Sequence, residues 1–169
     1  MEPLCIDIRE ARSTEDLEHI RRLFQEYAEN LSIDLSFQAF ETELATLPGT
    51  YALPGGSLLL AEYHGQPIGC VALRTLEVGI GEIKRLYVVP AYRGRGVARR
   101  LMQTVLARAR KSGFSQVRLD TLADMDAARS LYTSLGFREI PPYYHNPMAG
   151  AVYMELRLSD ALDAAMKRR

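Results

Sequence analysis

The stretch Tyr92-Arg93-Gly94-Arg95-Gly96-Val97-Ala98-Arg99-Arg100 joins the strand-like run Glu82-Ile83-Lys84-Arg85-Leu86-Tyr87-Val88-Val89-Pro90 to the start of a long amphipathic pattern. Two glycines allow a tight backbone curl, and the first amides of the following helix have no acceptor within that helix. The helix dipole places partial positive charge there, and four arginines add full charges, so the turn suits a phosphate or pyrophosphate. Val97, Leu101, Met102, Val105, Leu106 and Ala109 form one helical stripe, and Lys111-Ser112-Gly113 supplies a cationic, glycine-terminated end. Gln116 to Leu122 then alternates as a strand, which makes a strand–helix–strand unit with the glycine turn at its first joint.

Upstream, Leu4 to Arg9 reads as a half-exposed first strand. Ser13 followed by Asp16 is an acidic variant of the capping box and opens a helix whose apolar face is Leu17, Ile20, Phe24, Tyr27 and Leu31. A second short helix is expected from about Ser36 to Leu47, stopped by Pro48-Gly49, with a loop to Gly56. Ser57–Tyr63 and Pro67–Arg74, joined through His64-Gly65-Gln66, form an antiparallel hairpin. Downstream of the central unit, a helix begins near Asp124 to Asp126, carries Ala128, Leu131, Tyr132 and Leu135, and ends at Gly136-Phe137. Strands are expected at Phe137–Ile140 and Ala151–Leu158, separated by a proline-rich loop.

The 169 residues suit one domain spanning 1–169, with 159–169 as a short C-terminal tail. Lys plus Arg and Asp plus Glu each total 21, so no global charge draws the chain toward nucleic acid, and the basic cluster is local. No run approaches the length of a membrane span, and Met-Glu-Pro-Leu is not a secretory start, so a cytoplasmic protein without membrane association is expected. Cys5 and Cys70 sit in apolar runs without a Cys or His at ligand spacing; both are expected to be buried free thiols, and no metal site is expected.

Three phosphate-binding patterns compete at the turn. A P-loop requires Gly-Lys followed by Ser or Thr, which is absent, and a dinucleotide fingerprint requires glycine where Arg99 stands. The remaining pattern, Arg93-x-x-Gly96-x-Ala98, preceded by Glu82 to Pro90 and followed by Ala128-Arg129-Ser130-Leu131-Tyr132-Thr133-Ser134-Leu135-Gly136-Phe137, resembles the GNAT superfamily of acetyl-CoA-dependent N-acetyltransferases. The resemblance implies an α/β (α+β) fold: a mixed, mostly antiparallel sheet of about seven strands flanked by about four helices, with one splayed parallel pair. It implies acetyl-CoA as acetyl donor and a small-molecule or peptide amine as acceptor; direct transfer is expected, without a covalent acetyl-enzyme, because Cys5 and Cys70 are expected to lie away from the splayed strands. It leaves room for a homodimer. A non-catalytic acyl-CoA-binding or regulatory module of the same fold is the alternative.

By that resemblance, amides of Arg93, Gly94, Arg95, Gly96, Val97, Ala98 and Arg99 would hold the pyrophosphate, and the backbone of Leu86, Tyr87 and Val88 would pair with pantetheine like an added strand. Arg95, Arg99 and Arg100 also read as a solvated helix face. Glu82 matches the position of a general base, or is a polar residue at a strand start. Tyr132 matches the tyrosine that protonates the leaving thiolate, or is a core aromatic. Met125 departs from a frequent asparagine, which puts a side-chain hydrogen bond to the cofactor in doubt; Asp124 and Asp126 read as helix caps. Glu26, Tyr27, Tyr143, Tyr144 and Asn146 are candidate acceptor contacts, and His145 reads as a loop residue closing the core.

Overall fold

Alternating and continuous apolar runs assemble into one seven-stranded sheet in a computed structural model that describes residues 4–31, 35 and 39–158. The strands are β1 (Asp7–Glu10), β2 (Ser57–Tyr63), β3 (Gln66–Glu77), β4 (Ile80–Val88), β5 (Gln116–Leu122), β6 (Arg138–Ile140) and β7 (Ala151–Arg157), and the helices are α1 (Thr14–Leu31), α2 (Phe40–Ala45), α3 (Val97–Lys111) and α4 (Asp126–Ser134). The sheet order is β1-β2-β3-β4-β5-β7-β6. Every neighbouring pair is antiparallel except β4 and β5, which are parallel because α3 carries the chain across between them. This is the mixed, mostly antiparallel architecture expected above.

The sheet buries both faces. On one, Leu101, Met102, Val105 and Ala109 of α3 are fully buried with Leu59, Val71, Leu73 and Val117; on the other, Ile20 and Phe24 of α1 and Phe40 and Leu44 of α2 cover Leu58, Leu60, Cys70 and Ala72. At roughly 25 cal/mol per Å² of apolar surface, these two layers supply the main drive to fold.

Several boundaries differ from the sequence expectation. Pairing begins at Asp7, opposite Glu62, so Cys5 lies ahead of the ladder and is exposed, whereas Ile6 is buried. Only Cys70 is a buried thiol, and burial pushes its pKa up. The second helix is short; Ser36 and Phe37, assigned to it above, and the tail from Ser159 lie outside the described residues. β4 starts at Ile80, two residues before Glu82, because it forms a hairpin with β3 across Val78 and Gly79. No described helix is long and apolar enough to cross a membrane.

The capping box forms as its spacing predicts: the Asp16 amide donates to Ser13 Oγ at 3.0 Å and the Ser13 amide to Asp16 Oδ2 at 3.2 Å. Arg9 of β1 adds two bonds to the same carboxylate at 2.7 and 2.8 Å and a third to Glu62 of β2 at 2.7 Å, tying α1 to the sheet edge. The Arg9 bonds hold the Asp16 carboxyl below the usual carboxylate range. Asp16→Ala is therefore expected to cost about 2 kcal/mol in urea unfolding at pH 7. Since the folded pKa is depressed, the difference from the parent chain is full above about pH 4 and shrinks as acid protonates the carboxylate.

Candidate functional site

The parallel pair shares a short ladder, Ile80, Gly81 and Glu82 against Gln116, Val117 and Arg118, and then parts. β4 bends where the register with β3 shifts between Cys70 and Ala72, so Arg85 and Leu86 oppose the single residue Val71. Arg85 has φ of 60°, costly for a residue with a Cβ, and its side chain is fixed by two bonds to Glu43 of α2, both 2.9 Å, and by the Phe40 and Tyr27 rings. Beyond Glu82 the β5-facing groups of β4 have no strand partner. Because the Val89 amide donates to Ile68 of β3, alternation turns the Val88 amide and carbonyl into the fork. The Val88 carbonyl there accepts from Arg93 Nε at 2.9 Å.

Three cavities follow the fork. The largest, about 710 Å³, is walled by Leu86, Tyr87, Val88, Arg93, Gly94, Gly96, Val97, Ala98 and Arg99, with Asp124 to Ala128 of the α4 start opposite. All the cofactor positions expected from the sequence are here except Arg95, which is exposed and not in the lining. Gly96 caps α3 with φ of 81° and no side-chain hydrogen bond, and α3 carries no acid in its first turn, so its leading amides keep their capacity for an anion. α4 starts without a side-chain cap too; Asp124 and Asp126 do not cap it, Met125 is its N-cap, and Asp126 sits in its first turn. Of the two helix starts that border the cavity, only that of α3 has a first turn free of acidic residues.

A smaller cavity of about 100 Å³ lies deeper in the fork, lined by Tyr27, Lys84, Arg85, Asp120, Tyr132 and Asn146 among others. Tyr132 is 7% exposed, its ring packs 5.8 Å from that of Phe137, and its hydroxyl has no hydrogen-bond partner among the described residues. Burial raises its pKa, so it keeps its proton at neutral pH. The third cavity, about 270 Å³, is lined by Glu43, Arg74, Glu82, Lys84, Tyr143 and Tyr144, with Lys84 common to it and the small one.

Glu82 is 1% exposed. Its Oε1 accepts from Arg74 Nε at 2.8 Å, its Oε2 accepts from the Tyr143 hydroxyl at 2.6 Å, and Lys84 Nζ stands 3.9 Å from Oε1. Burial, followed by the negative charge of Glu82, pushes the Tyr143 pKa up, and burial pushes that of Lys84 down. Asp120 accepts from the Tyr144 hydroxyl at 2.5 Å and from Asn146 Nδ2 at 3.2 Å. Glu26 is set apart from this group: it accepts from the Tyr87 hydroxyl at 3.2 Å, beside the large cavity.

Sequence reading missed Lys84, Arg85, Asp120 and Arg74. Two adjacent charges inside the otherwise apolar run Ile83 to Val88 were a usable signal for the first pair. Asp120 gave none, since in Leu119-Asp120-Thr121 it occupies an ordinary outward position of an alternating strand.

The profile of the acetyltransferase (GNAT) family matches residues 17–137. An uncharacterized N-acetyltransferase of Schizosaccharomyces pombe is 39% identical over 161 residues, covering 94% of this chain and 99% of that protein. Among solved structures, an acetyltransferase from Streptococcus agalactiae superposes with a TM-score of 0.76 at 20% identity, covering 90% of this chain and 98% of the other. The PaiA N-acetyltransferase of Thermoplasma acidophilum, solved in complex with coenzyme A, gives 0.69 at 19% identity, covering 91% and 99%.

A Cβ at Gly96 would meet no atom within 4 Å, so substitution there carries a backbone cost without a clash. Gly96→Ala is expected to lower unfolding stability by about 1–2 kcal/mol and Gly96→Asn by less, as read by chemical denaturation, because asparagine tolerates positive φ.

Proposed function

The chain belongs to the GNAT family of acetyltransferases and is an acyltransferase; from that premise we propose that it moves an acetyl group from acetyl-CoA to an amine by direct transfer within the fork. The observation that carries the reading is the uncapped, acid-free start of α3 at one end of a cavity that continues along the unpaired side of β4. The coenzyme A complex of the structural neighbour is in keeping with it.

The residues present fit such a donor. Leading amides of α3, with Gly94 and Gly96 in left-handed conformations that bring the backbone close, bind the pyrophosphate. The fork-facing amide of Val88 remains after its carbonyl is taken by Arg93, and it orients the donor arm and polarises the thioester carbonyl. When bound, acetyl-CoA supplies an activated acyl carbon and a thiolate leaving group. Glu82 receives the proton that the acceptor nitrogen loses, through the Tyr143 hydroxyl that already donates to it. Tyr132 gives its proton to the sulfur as the C–S bond breaks and the N–C bond forms. An ammonium acceptor sheds two protons, the first to solvent before attack and the second to Glu82 as the N–C bond forms; Tyr132, having supplied one to sulfur, is reprotonated from Glu82 through solvent, so the products are the amide, the CoA thiol and one released proton. Cys70, buried and held as a thiol, takes no part.

Acetyl-CoA at about 100 times its dissociation constant should stabilise the chain by roughly 2.7 kcal/mol, a melting shift of roughly 5–10 °C. Absence of a shift overturns the reading; a shift without release of CoA thiol across a panel of amines assigns the chain to the non-catalytic alternative. Tyr132→Phe should lower turnover about a hundredfold with acetyl-CoA affinity and melting temperature retained, since its hydroxyl makes no hydrogen bond to lose among the described residues. Glu82→Gln should lower turnover comparably, with melting measured alongside because the Arg74 pair is weakened too.

A further inference from the structure

Lys84 is 8% exposed and lines both the small cavity in the fork and the cavity beneath Tyr143. Its ammonium has three protons to donate but makes no hydrogen bond among the described residues; the nearest carboxylate oxygen, Glu82 Oε1 at 3.9 Å, is beyond hydrogen-bond distance and is taken by Arg74 at 2.7 Å. The two other cations on this wall are matched: Arg85 by Glu43 and Arg74 by Glu82. Glu82 thus offsets part of the Lys84 charge, but a buried ammonium whose protons have no acceptor among the described residues still favours a ligand that brings one.

Across the fork stands Asp120. Tyr144 and Asn146 both donate to its Oδ2, which leaves Oδ1 without a hydrogen bond among the described residues. Lys84 and Asp120 feel each other's charge but form no ion pair within 4 Å among the described residues, so opposite charges face one cavity without closing on each other.

Resting on the acetyltransferase reading, we infer that Lys84 binds a carboxylate of the acceptor while Asp120 receives its amine, so the acceptor is an amino acid rather than a polyamine. A polyamine would bring further positive charge against Lys84, Arg74 and Arg85 without giving the Lys84 ammonium an acceptor, Glu82 and Glu43 being engaged by the two arginines. An amino acid supplies an anionic hydrogen-bond acceptor for Lys84 and leaves its nitrogen on the Asp120 side, in the same cavity as Tyr132.

The test measures CoA thiol release with each proteinogenic amino acid, with its carboxamide, and with spermidine, and by calorimetry the binding of the same amino acids to the CoA-saturated chain. At least one free acid is expected to exceed its carboxamide tenfold or more in kcat/KM, and Lys84→Met should bring that ratio toward one, with Lys84→Arg recovering part of it. Carboxamides or spermidine serving as well as the acids would overturn the inference, as would a ratio unmoved in both variants, or an absence of acid turnover together with an absence of calorimetric binding. The comparison of acids with carboxamides uses the parent chain and does not depend on either variant folding. Loss of the acetyl-CoA melting shift in the parent chain strikes the acetyltransferase reading itself, whereas a retained shift with no preference for acids strikes only the role of Lys84.

Discussion

The parting of two parallel strands governs the rest of this molecule. β4 and β5 pair from Ile80 to Glu82, and the fork with its cavities opens from that last paired residue onward. A strand whose partner leaves it must satisfy its polar backbone by other means, because unpaired buried amides and carbonyls are expensive. Here one carbonyl, that of Val88, is satisfied by an arginine from the following turn. The remaining fork-facing groups border cavities wide enough for a guest. An acyl donor with amides along its arm is a natural complement to such an edge.

What bends β4 is equally specific. The register shift opposite Val71 forces Arg85 to positive φ, and the guanidinium is then held between a carboxylate and two aromatic rings drawn from α1 and α2. Strain of this kind persists only where surroundings over-determine it. Helices on one face of the sheet thereby fix the shape of the fork, while α3 and α4 on the other face shape the large cavity.

Legibility in the sequence followed the range of the interactions. The glycine turn and the α3 stripe are local patterns, as is the reciprocal bond between Ser13 and Asp16, and all three were readable at fixed spacing. Neighbouring motifs extended this to the order of the strands through the family resemblance. The bulge at Arg85 was not readable, since it arises from how β3 and β4 register with each other and no residue of the run demands it. Asp120 was hidden for a related reason: its outward side is covered by Tyr144 and Asn146 from a loop more than twenty positions later. Cys5 was misplaced because apolar neighbours do not say where a ladder begins, and pairing starts two residues further on.

Arg93 shows how tightly the turn is bound to its strand. Its Nε is spent on the Val88 carbonyl and its guanidinium lies 5.5 Å from the Tyr87 ring centre, so the loop is stitched back onto the last two residues of β4. The glycine turn is consequently not a portable cassette. Grafted onto another sheet, residues 93–99 would lose both anchors and, with them, the angle at which the first turn of α3 meets the cavity; the transferable unit is the strand end and the turn together.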